Sequence, residues 1–197
     1  MKVAVGKFLA LALGAAGLIA ISASVASAQT TDVYKLNYFS YANTAGSPDA
    51  TVRIDNPGLT YGNLCAMIYV FAADQQMSEC CGCGESHNGL RTFSINTNLT
   101  SNPLTDVVLA TGVIKIVSSA PNYGNGGCDP TSNVKPTPNL RAWATHDQTY
   151  GDNIPITETE FTDSPLGATE LSNLQAQCNF ISILGSGHGI CTCGTGD

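Results

Sequence analysis

The chain has 197 residues, 43% of them apolar and 12% charged, with a formal net charge of −7 and eight cysteines. Such apolar content excludes a disordered tail, which combines low hydrophobicity with high charge. Only eight Lys and Arg are present, too few for the basic stripe that nucleic acids and anionic membrane surfaces require, and a packed acidic domain is expected.

The first element reads as a secretory signal. Lys2 and Lys7 give a positive start, residues 8–21 an apolar run, and Ala26-Ser27-Ala28 the small residues a signal peptidase accepts. An apolar run of about 14 residues is short of the roughly 20 that span a bilayer, so residues 1–28 are expected to be cleaved. The product, 29–197, is read as a single secreted β-rich domain of 169 residues with net charge −9 and no membrane span. A chain of that length buries on the order of 70% of its unfolded surface, so its core does not depend on disulfides to exist.

Strand patterns then follow in order. Residues 32–40 alternate, with Tyr34, Leu36 and Tyr38 as the expected core face. Residues 50–55 turn Val52 and Ile54 inward and stop at Asn56-Pro57-Gly58. The run 64–72 (LCAMIYVFA) is apolar on both faces, the mark of a strand covered on each side, and Cys65 within it is expected to bridge two core layers. Cys80-Cys81-Gly82-Cys83 follows, where Gly82, Gly84 and Ser86 signal a loop. Further strands are expected at 90–96, 111–118, 140–146 and 154–161, and a long loop, 119–139, pinned by Cys128. A helix over 165–184 has Ser164 as N-cap, Pro165 at its first position and Leu171, Leu174, Cys178 and Ile181 on one stripe. Gly185 ends it, and a cysteine-containing tail, 185–197, completes the chain.

About seven short strands and one late helix predict a mainly β fold: an antiparallel β-sandwich with one C-terminal helix, reinforced by disulfides. An immunoglobulin-like topology is one version, although the Cys…Trp…Cys spacing is missing and Trp143 lies late in the chain. The runs GNLCAMIYVF, ECCGC, NGLRTFSIN and GSGHGIC resemble segments of small exported cysteine-rich bacterial proteins. That resemblance implies export and a bacterial source, and carries no activity, cofactor or catalytic residue with it.

All eight cysteines, Cys65, Cys80, Cys81, Cys83, Cys128, Cys178, Cys191 and Cys193, follow the signal, and in an oxidising compartment they read first as four disulfides, with 105 possible connectivities. Adjacent cysteines seldom bridge each other, so the tail pair is expected to reach back to the first cluster or to Cys178. The competing reading makes Cys80, Cys83, Cys191 and Cys193, with His87 and His188, a thiolate-rich site for zinc or copper, or a C-x-x-C redox centre.

Catalytic chemistry is thin. Three histidines are available; the glycines of Gly185-Ser186-Gly187-His188-Gly189 suit a linker better than a nucleophile elbow, and His146-Asp147 reads as an exposed pair at a strand end. Glu158 and Glu160 would share one strand face about 7 Å apart, the basis of a hydrolase reading, though two solvated strand carboxylates are commoner. Asp129 with Asn125, and Asp152 with Asn153, are conceivable calcium loops without an EF-hand pattern. Asn98-Leu99-Thr100 matches the glycosylation acceptor. The leading expectation is a secreted, extracellular or periplasmic, non-catalytic structural, adhesive or binding module that meets protein or carbohydrate and needs no cofactor.

Overall fold

Burial alternates residue by residue over 51–55 and 141–146, which gives one of two facing sheets its inward apolar face. The computed structural model describes residues 32–59, 62–122, 127–147 and 154–194; the expected signal and its cleavage point lie outside the described residues. The strands are β1 (Tyr34–Phe39), β2 (Thr51–Asp55), β3 (Leu64–Ala72), β4 (Met77–Glu85), β5 (Leu90–Ser94), β6 (Gly112–Ala120), β7 (Lys135–Pro136), β8 (Arg141–Asp147), β9 (Ile156–Glu160) and β10 (Thr162–Ser164), followed by helix α1 (Ala168–Ile183). One sheet runs β10-β1-β6-β3-β4, with β7 added beside β6, and the other runs β5-β2-β8-β9. Pairing within both sheets is antiparallel. The fold is therefore mainly β with one C-terminal helix and four disulfides.

Two apolar clusters lie on opposite faces of β3. Leu64, Ala66, Ile68 and Val70 pack with Val52, Ile54, Phe93, Ala142 and Ala144 to fill the space between the sheets. Cys65, Met67, Tyr69 and Phe71 point the other way, where Leu174, Cys178 and Ile181 of α1 cover them. The run that is apolar on both faces is thus a central strand between β4 and β6, as its pattern demands. Cys65 lies on the helix-side face and bonds Cys128 in the loop after β6, so this bridge pins the loop to the sheet and does not cross between the two sheets.

Local expectations yield where tertiary contacts compete. In β1, Tyr34 is buried but Tyr38 is 50% exposed, while Lys35 is 2% exposed with its ammonium 2.8 Å from Asp32 and 2.5 Å from Asp163. The strand expected at 90–96 ends at Ser94, whose hydroxyl accepts from Thr97 N (2.9 Å) and caps a single π-turn, Ile95–Leu99. The helix begins at Ala168 with Gly167 as N-cap, because Ser164 is held extended opposite Tyr34 in β10. Glu170 in the first turn favours the helix dipole and accepts from Lys115 Nζ (2.7 Å) and Tyr34 Oη (2.8 Å), which docks α1 on β1 and β6.

Candidate functional site

The largest departure from the sequence reading concerns Cys80-Cys81-Gly82-Cys83, which is strand β4 and not a loop. Side chains alternate on a strand, so Cys80 faces the helix layer and bonds Cys178, whereas Cys81 and Cys83 face the inter-sheet core and bond Cys191 and Cys193. Adjacent cysteines thereby go to different partners on different layers. All eight cysteines are bridged, with Cα separations of 5.2–5.9 Å, inside the range that a disulfide spans. The glycine that suggested a loop has a steric purpose: a Cβ at Gly82 would lie 2.0 Å from the Cys128 carbonyl oxygen. The loop pinned by Cys65–Cys128 sits directly on that position.

The tail closes the open side of the sandwich. β4 and β5 are the end strands of their respective sheets. Cys80 N donates to Gly189 O (2.9 Å) and Cys191 N to Cys80 O (3.2 Å), which lays the tail along β4 in parallel register. Thr192 N donates to Asn98 O (3.0 Å) and Arg91 Nη1 to Gly194 O (3.3 Å), which carries the same segment to β5 and the π-turn. Asn102 grips it from above: its main-chain oxygen accepts from Gly189 N (2.7 Å), and its amide donates to Gly187 O (2.7 Å) and Ile190 O (3.1 Å). Asn102 N in turn donates to Glu79 Oε1 (2.8 Å). Glu79 is fully buried, and burial raises its pKa to about 7 against the opposing bond from Asn102.

The proposed thiolate metal set is not assembled in this oxidised form. Its four cysteines are spent in bridges, His87 is in an exposed turn beside Asn88 (2.8 Å), and His188 pairs with Asp106 (2.7 Å). Among the described residues no group of three or more His, Cys, Asp or Glu is arranged to hold a metal. Glu158 and Glu160 do share the outer face of β9, but each meets an arginine across the sheet, Arg53 and Arg141 respectively. Gly185 to Gly189 form the linker between helix and tail, with Gly185, Gly187 and Gly189 at positive φ. Asp129 forms a self-contained turn: burial would raise its carboxyl, but bonds from Thr131 and Ser132 outweigh that and hold it below the usual carboxylate range. Asn125, Asp152 and Asn153 lie outside the described residues. The side chain of Asn98 is committed to Ser94 N and Thr192 Oγ1.

His146 and Asp147 are buried, at 1% and 2% exposure, contrary to the exposed pair expected from sequence. The His146 ring stacks on Tyr38, centroids 4.4 Å apart, and its Nε2 lies 2.7 Å from Thr159 Oγ1. Burial holds the imidazole below its ordinary pKa, with the neighbouring Asp147 charge opposing, and this favours the neutral ring. Asn37 Nδ2 donates to the same Thr159 hydroxyl (3.1 Å), which joins β1 to β9 across the sandwich. The result is an open groove of about 450 Å³ lined by Asn37, Tyr38, Val113, Thr159, Glu160 and Asp163. It presents a half-exposed aromatic ring, held from behind, beside amide, hydroxyl and carboxylate groups. The sequence marks Tyr38 only as a core candidate and Glu160 only as half of a carboxylate pair, and it gives no sign of the groove itself, because β1 and β9 meet there across more than a hundred residues.

Among the described residues, no helix is long and apolar enough to cross a membrane. Compared with known proteins, the chain matches no protein-family model, no curated protein and no solved structure.

Proposed function

We propose that the protein is an exported, non-catalytic binding module, hardened by disulfides, that meets a glycan or protein ligand outside the cell through the groove between β1 and β9–β10. The observation that carries this reading is the Tyr38 ring, half-exposed at the groove and fixed by its stack on His146. A rigid aromatic face with hydroxyl, amide and carboxylate groups around it suits ligands that combine an apolar face with polar edges. Support comes also from how the reactive groups are spent: eight cysteines in four bridges, Glu158 on Arg53, Glu160 on Arg141, and Nε2 of His146 on Thr159. The secretory pattern of residues 1–28 and the resemblance to exported cysteine-rich proteins fit the same setting.

The test pairs Tyr38→Ala with the wild type in affinity electrophoresis through gels that contain soluble neutral and acidic polysaccharides. Because Tyr38 is half-exposed, the substitution should leave the fold intact by circular dichroism and abolish retardation. Retardation unchanged in the variant would remove the groove from the reading. Intact mass before and after reduction checks the framework, which should gain about 8 Da from four bridges.

A further inference from the structure

The outer face of the four-stranded sheet carries an acidic pair that the fold leaves without a counter-ion. Thr51 of β2 and Thr145 of β8 are neighbours on that face, their hydroxyl oxygens 3.3 Å apart. Asp147 follows Thr145 by two residues in β8 and Asp49 precedes Thr51 by two, just ahead of β2, so the antiparallel register carries both acids to the same end of the pair. Asp147 is 2% exposed, and neither of its carboxylate oxygens reaches water or has a hydrogen-bond partner among the described residues. Asp49 is exposed and held in position: its carboxylate accepts from Asn96 N (3.0 Å) and from the Ser94 hydroxyl. No basic side chain pairs with either acid among the described residues, since the nearby Arg53 is taken by Glu158. Burial first, and then the Asp49 charge, raise the Asp147 pKa above its ordinary value.

A carboxylate shielded from water with no partner is strongly unfavourable unless a proton or a cation compensates it. We propose that Asp147 and Asp49 bind a calcium ion at this end of the β2–β8 pair, with Asp147 the buried ligand and Asp49 the solvent-side one. The donors are all oxygen, which selects a hard cation over zinc or copper. Calcium accepts irregular shells that mix mono- and bidentate carboxylates with main-chain oxygens and water, whereas magnesium demands a near-ideal octahedron. The site shares no residue with the disulfides or with the lining of the Tyr38 groove, so its test reads out separately from that of the binding reading.

The experiment is thermal unfolding of the chelator-stripped, disulfide-intact protein at pH 7.5 and constant ionic strength, with calcium chloride titrated to 10 mM. A site of extracellular-module affinity should raise the wild-type Tm by about 3–8 °C, with magnesium giving a clearly smaller shift. Asp147→Asn should fold, because it removes the buried charge, and should show no calcium response. Asp49→Asn serves as the second variant, with the response weakened or lost. Equilibrium dialysis with metal analysis should find one calcium per wild-type chain and none per Asp147→Asn chain. No calcium shift in the wild type, or an equal shift in Asp147→Asn, overturns the proposal, as does an equal response to magnesium.

Discussion

The bridges Cys81–Cys191 and Cys83–Cys193 lie two residues apart at both ends, and this sets what each is worth. Taken singly, each closes a sequence separation of 110 residues, for which loop entropy gives about 5 kcal/mol at 25 °C. They are not independent. With Cys81–Cys191 in place, closing Cys83–Cys193 restricts a ring of only about four residues, for about 2 kcal/mol. With neither in place, Cys80–Cys178 still tethers the end of the helix, so the first staple closes only about 14 residues, for about 3 kcal/mol. The paired replacement Cys83→Ala/Cys193→Ala should therefore cost about 2 kcal/mol, Cys81→Ala/Cys191→Ala about the same, and all four together about 5 kcal/mol, where independent loops would require about 10. Alanine also removes buried sulfur, but that loss enters the single-bridge and double-bridge variants alike and cancels in the double-mutant cycle. Urea unfolding under non-reducing conditions measures the three variants against the wild type, with a larger m-value expected for the variant that lacks both staples. Losses near 5 kcal/mol for each bridge alone, adding to about 10, would refute the nested-loop account.

Two further substitutions test the packing beneath the tail. Glu79 titrates near pH 7 when folded, against an ordinary value of 4.5, so the folded state holds its proton more tightly than the unfolded chain does. Its contribution is then complete below pH 4.5 and is lost as pH rises toward 7, by about 3 kcal/mol in all. Glu79→Gln should flatten that part of a Tm-against-pH profile and exceed the wild type at pH 8; equal slopes for the two proteins would contradict the assignment. Gly82→Ala drives a Cβ to within 2.0 Å of the Cys128 carbonyl oxygen, whereas at Gly84 the nearest atom is the Cys128 sulfur at 3.8 Å. Gly82→Ala should cost about 2 kcal/mol or more, and Gly84→Ala should be near neutral in the same denaturation assay.

What could be read from the sequence was what depends on neighbours along the chain. Val52 and Ile54 alternate inward in β2, and β3 is apolar on both faces because it lies between two layers. The stripe of Leu174, Cys178 and Ile181 likewise appears as the buried side of α1. What failed depends on distant residues. Gly82 looked like a turn signal, yet its lack of a side chain answers to Cys128, 46 positions away. Lys35 looked like a solvent-facing residue, yet Asp163 arrives from β10 to neutralise it. Pro165 looked like a first helical residue, yet the pairing of Ser164 with Tyr34 keeps the chain extended until Gly167. The groove is the extreme case, since Asn37 and Thr159 meet across 122 residues, and no local pattern records such a meeting.

The position of the cysteines follows from the weak point of the architecture. A chain of this size buries enough surface to fold on its core, so general shortage of stability does not explain four bridges. An open sandwich, however, leaves end strands whose unpaired main-chain groups invite pairing with other chains. At the β4–β5 side the cover is the tail, in which five of residues 185–197 are glycine. Glycine loses more conformational freedom on ordering than any other residue, so the few hydrogen bonds from Gly189, Cys191 and Thr192 would hold such a segment poorly by themselves. Covalent attachment at Cys191 and Cys193, and at Cys178 in the helix that leads into the tail, removes part of that entropic cost from folding. Three of the four bridges therefore converge on β4 because its exposed edge is covered by the segment least able to stay there unaided.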